Sequence, residues 1–420
     1  MNFSGSTSQR RFLFVLGVFW APILFFIVAE ECVFYRSGET WTIERVIRNQ
    51  RDDPNSLFMR RLFDQQFYLY KMKEIICRNP QVVALGSSRV MEFRADMFGA
   101  DAKEFYNAGG LLECVEQLTL AIHQMPNFKP RVVILGIDMW WFNDNWDRAN
   151  LQNIDSSFLR ATDAARSWEA HLLALRRFWL KQGNALNLWK SYLAIVSGPK
   201  QGRLGLAAQL DECGFRGSDG SYAFPSPATP SEHWVERMSA FHLERIARED
   251  MQFLPTPRIS NRLLKEFRDD ILELKNRGVL VVGFLPPFSS DIVRALDLSE
   301  HQRELWRQYA KEVPALFTEL DLPCIDASTA ASLGLDDRYM RDGVHAMETF
   351  HLHLLQTMLN DSRVERALPS ARSCIQRALT SRHTDFWHAD FSTTDTQQAN
   401  VGLSHAGIGT HPLTVSAKQK

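Results

Sequence analysis

The chain has 420 residues, a formal net charge of −1, and ordinary shares of hydrophobic (45%) and charged (23%) residues. That length holds two average domains, or one α/β domain with a large insertion, and the composition supports a sizeable core. Near-neutral charge argues against a nucleic-acid partner, which would need a basic face. Six scattered cysteines (Cys32, Cys77, Cys114, Cys213, Cys324 and Cys374) show no CxxC pair or metal-ligand spacing and read as isolated thiols, so no metal and no cofactor is expected.

Arg10 and Arg11 precede an uncharged apolar run, residues 12–29, which Glu30 and Glu31 close. As a helix this run reaches about 27 Å at about 1.5 Å per residue, the thickness of a bilayer's hydrocarbon core. Pro22 within it is tolerated in membrane helices. Basic residues before the run place the N-terminus in the cytoplasm. A cleaved signal peptide has a shorter apolar region and a small-x-small site, and Ile27 before Ala29 fits that poorly. Residues 1–32 are therefore expected to be a cytoplasmic stub and single transmembrane anchor, with the main domain exported.

Residues 33–79 read as a mostly helical lead-in, closed by Asn79-Pro80. A strand–helix rhythm follows. Strands are expected over 82–85, 104–106, 131–135, 279–285 and 323–325, and helices over 113–124, 261–277, 300–320 and 347–359. Short apolar strands alternating with helices predict a parallel sheet covered on both faces, a three-layer α/β fold. Residues 80–144 and 256–365 form this domain. Residues 145–255 break the rhythm and read as an inserted, mostly helical cap, with helix-like stretches over 161–179 and 187–196 and a hairpin over 214–222. Residues 366–420, rich in Ser, Thr, His and Gly, read as a disordered tail.

Chemistry in such sheets gathers at the carboxyl ends of the strands. Three strand-end segments carry candidates. In Gly86-Ser87-Ser88-Arg89 a hydroxyl projects from a tight turn, and the amides opening the next helix can face an oxyanion. In Asn107-Ala108-Gly109 the glycine amide is a second such donor. In Asp342-Gly343-Val344-His345 a carboxylate and an imidazole are spaced as a base and the group that orients it. Taken singly, each also reads as an ordinary turn or helix cap. His123, His351 and His353 read as structural.

The ordered set, Gly-x-Ser early, Asn-x-Gly some 20 residues later and Asp-x-x-His near the end of the domain, resembles the SGNH (GDSL-like) hydrolase family. The resemblance implies a flavodoxin-like three-layer sandwich, with Ser88, Asp342 and His345 as catalytic triad and the amides of Ser88 and Gly109 as oxyanion donors. The family's third block, Gly-x-Asn-Asp, reads Gly136-Ile137-Asp138 here, and an ionised Asp has no proton to donate. Either Asp138 is protonated by burial, or Asn143 substitutes, or Asp138 has another task. Arg89, Trp140 and Trp141 are the candidate substrate-binding residues; the two tryptophans read equally as sugar-stacking faces and as packing under the cap.

The exported, anchored arrangement resembles membrane-anchored SGNH proteins of cell-envelope glycan O-acylation. It implies an O-acyltransferase or esterase that takes an acyl donor and a glycan acceptor through an acyl-serine, working with a multispan membrane O-acyltransferase. The competing reading is a catalytically weak glycan-binding or scaffold subunit of a polysaccharide acylation or export complex.

Overall fold

Helical, partly apolar segments precede the main sheet, which begins at Val82. The computed structural model of the chain describes residues 7–61, 67–146, 190, 193–224, 234–385 and 388–391. Helix α1 (Thr7–Ser37) carries the apolar run, and Phe12, Leu13, Phe14, Val15 and Phe25 on it are largely exposed. Among the described residues no helix is long and apolar enough to cross a membrane. The C-terminal end of α1 docks onto the protein through buried Glu30, Val33, Phe34 and Ser37. Beyond it, the buried Glu39 carboxylate accepts from the amides of Arg61 (3.0 Å) and Leu206 (2.6 Å).

The Thr42 hydroxyl caps α2 (Ile43–Asp52), accepting from the Arg45 amide, and α2 buries Ile43, Val46, Ile47 and Gln50. The two-residue strand β1 (Leu57–Phe58) and α3 (Phe67–Arg78) complete the lead-in.

The main sheet is parallel throughout. It comprises β2 (Val82–Gly86), β3 (Phe105–Gly109) and β4 (Val132–Gly136). After α4 (Val115–Gln124), which precedes β4, the chain passes through β5 (Arg203–Leu204), α5 (Leu206–Asp211), β6 (Gly214–Arg216) and β7 (Tyr222–Ala223). It then forms α6 (Trp234–Arg248), α7 (Asn261–Asn276), β8 (Leu280–Leu285), α8 (Ser290–Leu298), α9 (Arg303–Glu319) and β9 (Cys324–Asp326). The last elements are α10 (Glu348–Met358), α11 (Ser362–Ala367) and α12 (Ala371–Thr380). The sheet order is β3-β2-β4-β8-β9.

Strand alternation sends Val83, Leu85, Val133, Leu135 and Val281 to one face, where α4, α7, α8 and α9 cover them. Val82, Ala84, Val132, Ile134, Val282 and Phe284 face the other side, against the 3₁₀ segment Ala95–Glu104, α10 and α12. The chain is thus a mixed α/β protein in which helices bury both faces of a parallel sheet. The order reverses direction between β2 and β4, which opens a crevice at their carboxyl ends.

Three readings change. Residues 366–420 are not tail from their start: α12 buries Ala371, Cys374, Ile375 and Ala378, and the Cys374 thiol donates to the Asp96 carbonyl. The i, i+3, i+4, i+7 apolar spacing of those four residues is a helical stripe set in a polar composition. Residues 392–420 lie outside the described residues. Helix α8 fills a stretch between the expected strand 279–285 and the expected helix 300–320 for which no element was predicted. Part of 145–255 also joins the lead-in: β5, β1, β6 and β7 form a second, four-stranded sheet, with the expected hairpin as β6–β7. The helix expected over 161–179 and half of that over 187–196 lie outside the described residues; of the latter, residues 190 and 193–196 are helical.

Gly86 and Gly136 end neighbouring strands where the 3₁₀ turn Ser88–Val90 crosses the sheet edge. A Cβ at Gly136 would overlap Val90 Cγ1. Gly136→Ala is expected to lower stability by about 1–3 kcal/mol through overpacking; an unchanged denaturant midpoint would show that the crossing is looser than described.

Candidate active site

Two strand-end turns and one distant loop meet at the crevice. Gly86 ends β2, and the Ser87 hydroxyl accepts from the Arg89 amide (3.3 Å), starting the one-turn helix that holds Ser88. The loop before α10 folds on Asp342, whose Oδ1 accepts from the amides of Val344 and His345, both at 2.8 Å. Those bonds fix the carboxylate, and its Oδ2 lies 2.8 Å from His345 Nδ1. His345 Nε2 lies 2.8 Å from Ser88 Oγ. With Nδ1–H donated to Asp342, Nε2 is left to accept from the serine hydroxyl. Burial pushes the Asp342 carboxyl up, but the neighbouring His345, its ring hydrogen bond and the two amides outweigh it and hold the group well below the usual carboxylate range. The structure therefore brings the expected Ser88, His345 and Asp342 together as one hydrogen-bonded relay.

The other expected roles are corrected. Arg89 does not face substrate: it is 2% exposed, and all three guanidinium nitrogens are engaged. Nε donates to the Val344 carbonyl (2.9 Å), one Nη to Asp138 Oδ1 (3.0 Å) and the other to the Pro287 carbonyl. The group lies over the Phe288 ring, 4.1 Å from its centroid. One buried cation thus ties together the ends of β2, β4 and β8 and the Asp-x-x-His loop.

Asp138 is fully buried, and burial raises its pKa while Arg89 opposes the rise. Its carboxylate is the counter-ion of Arg89, not an oxyanion donor. Asn143 does not substitute, because its Nδ2 donates to the Leu254 carbonyl (2.6 Å). The Gly109 amide is also engaged, donating to Asn107 Oδ1 (2.7 Å). Of the expected oxyanion donors, only the Ser88 amide has no acceptor among the described residues.

Trp140 and Trp141 are buried in the core, edge-on to Phe253 and Phe267 respectively. They are packing residues, and neither presents a face for a sugar.

Two contributors come from the segment read as lying outside the pattern. His242 on α6 is 7% exposed, with Nε2 3.9 Å from Asp342 Oδ1 and its ring edge-on to His345 at 6.4 Å. Burial, opposed by Asp342, takes its pKa down to about 4, so it is neutral near pH 7. The Phe224 ring lies 6.1 Å from the His345 ring, with the Arg341 guanidinium over it at 4.3 Å. No sequence spacing points to either residue, since His242 is 100 positions from Asp342.

No family model, curated protein or solved structure matches the chain.

Removing one partner of a buried ion pair strands the other charge. Asp138→Asn is expected to lower the unfolding free energy by about 3–5 kcal/mol. Chemical denaturation checks this, and a loss below about 1 kcal/mol would show that Asp138 does not neutralise Arg89.

Proposed function

We propose that the chain is a serine acyl-ester enzyme of the SGNH type, an O-acyltransferase or esterase acting on a cell-envelope polysaccharide. The observation that carries this reading is the Ser88–His345–Asp342 relay at the carboxyl edge of a parallel sheet. Counted along the chain, the five strands of that sheet stand in the order 2-1-3-4-5, which supports a flavodoxin-like SGNH sandwich.

In this reading Ser88 Oγ attacks the carbonyl carbon of an acyl donor while its proton passes to His345 Nε2. Asp342 stabilises the imidazolium without taking a proton. His345 then returns the proton to the leaving alcohol or thiol, which departs and leaves an acyl-serine. Water or a sugar hydroxyl, deprotonated by the same histidine, takes the acyl group and restores Ser88.

Each missing oxyanion donor lowers such a rate by about 10²–10³. With Gly109, Asp138 and Asn143 otherwise engaged, slow, dedicated transfer from an activated donor fits better than rapid general hydrolysis. The exposed apolar side chains of α1 support attachment to a membrane; the basic residues before the apolar run and the resemblance to the anchored SGNH proteins put the site on the outer side of the cytoplasmic membrane, with a multispan O-acyltransferase as partner. The same shortage of oxyanion donors favours a second reading, a catalytically weak glycan-binding or scaffold subunit of an acylation complex.

The two readings separate on fluorophosphonate labelling of the full-length protein in detergent. Labelling is expected for wild type, absent for Ser88→Ala and slower by about 10²–10⁴ for His345→Ala, the usual contribution of a general base. A folded wild type that takes no label overturns the acyl-serine reading in favour of the scaffold.

A further inference from the structure

Helix α6 lies against the loop that carries the base. Ser239 and His242, three apart on α6, share one helix face. A Cβ at Gly343 would sit 3.2 Å from Ser239 Oγ, and His242 Nε2 is 3.9 Å from Asp342 Oδ1. His242 Nδ1 is buried with no hydrogen-bond partner among the described residues. One ligand atom from each of His242, Asp342 and His345 lies within 4.8 Å of the others. Two imidazoles and a carboxylate, with a further position open, are the donor set of a three-ligand zinc site. Around a tetrahedral ion with bonds of about 2.0–2.1 Å, ligand atoms stand roughly 3.4 Å apart. The observed group reaches that spacing by closing at most about 1.4 Å.

We propose that His242, Asp342 and His345 form a binding site for a divalent transition-metal ion such as Zn²⁺, and that occupying it silences Ser88. The ion reaches the site through Asp342 and His345, which are partly exposed. His242 and Asp342 hold it from two sides, and His345 supplies a ring nitrogen. Bound at Nδ1, the ion takes the position of the ring proton, which moves to Nε2; His345 then faces Ser88 Oγ as a donor and accepts no proton. No proton is gained or lost in that exchange. Asp342 trades its contact with Nδ1–H for the ion and keeps the amides of Val344 and His345. Binding rests on the geometry alone, whereas silencing rests on the acyl-serine reading.

The test uses the full-length protein in detergent, with Co²⁺ as a spectroscopic stand-in for zinc. Wild type is expected to bind one Co²⁺ per chain with the strong visible absorption of a four-coordinate ion, which Zn²⁺ abolishes by displacement. His242→Gln, checked for folding by circular dichroism, is expected to lose that absorption. Fluorophosphonate labelling is then compared with and without Zn²⁺ for each protein. In wild type zinc should slow labelling by about 10² or more, as loss of a general base does, with recovery on chelation. In His242→Gln the two rates should be alike. Absence of the Co²⁺ spectrum in wild type, or the same spectrum in folded His242→Gln, overturns the site. Absence of labelling in zinc-free wild type overturns the acyl-serine reading alone, and the cobalt spectrum still decides on metal.

Discussion

A guanidinium buried at the crevice mouth is the constraint on which the site depends. Arg89 follows the nucleophile candidate directly and spends each nitrogen on a different segment: the loop before α10, the end of β4 and the end of β8. Arginine suits this position, since it stays charged and offers donors in a rigid fork. Its bond to the Val344 carbonyl matters most for geometry: Val344 lies between Asp342 and His345, so the side chain beside Ser88 also fixes the loop that carries the base. The 2.8 Å contact between Ser88 Oγ and His345 Nε2 spans 257 residues of sequence, and this strut is one reason it can be held.

The strut also explains the acidic residue at position 138. A bare carboxylate at the end of β4 would oppose the negative charge that develops on an attacked carbonyl. Paired with Arg89 it is neutralised, and the pair as a whole adds no net charge beside the serine. The arrangement gives up a side-chain oxyanion donor and gains a rigid junction of three strands. Asn107 makes a similar exchange. Its amide group donates to the carbonyls of Val90 and Phe93 and accepts from Gly109, which stiffens the turn while occupying a backbone donor.

Much of this architecture can be read from the sequence because it is written in local patterns. Four-residue apolar runs closed by glycine gave β2 and β4, and the Asp-x-x-His spacing gave a carboxylate and imidazole able to touch. What the sequence hides is direction and burial. Arg89, Trp140 and Trp141 sit at strand ends where exposed residues bind ligands, and nothing local says that they turn inward. The Gly109 amide was a sound donor candidate until the Asn107 side chain claimed it. His242 comes from a helix whose place over the Asp342 loop is set by tertiary packing alone, and α12 was masked by its polar neighbours.

The second sheet has a consequence for how the chain comes together. Phe58 pairs with Phe215, and the turn beyond β6 reaches back to the main sheet, where the Asp219 carbonyl accepts from the Asn107 amide and Lys71 Nζ bridges the carbonyls of Asn107 and Gly220. The segment between β4 and β8 is therefore not a module that can be lifted out. Cutting it away would leave the buried Lys71 amino group short of an acceptor and bare the edge of the lead-in. During synthesis the lead-in must wait for some 150 residues to emerge before its pairing is complete. So long a closure carries an entropic cost, and only once it is made does the Asp219 carbonyl reach the Asn107 amide.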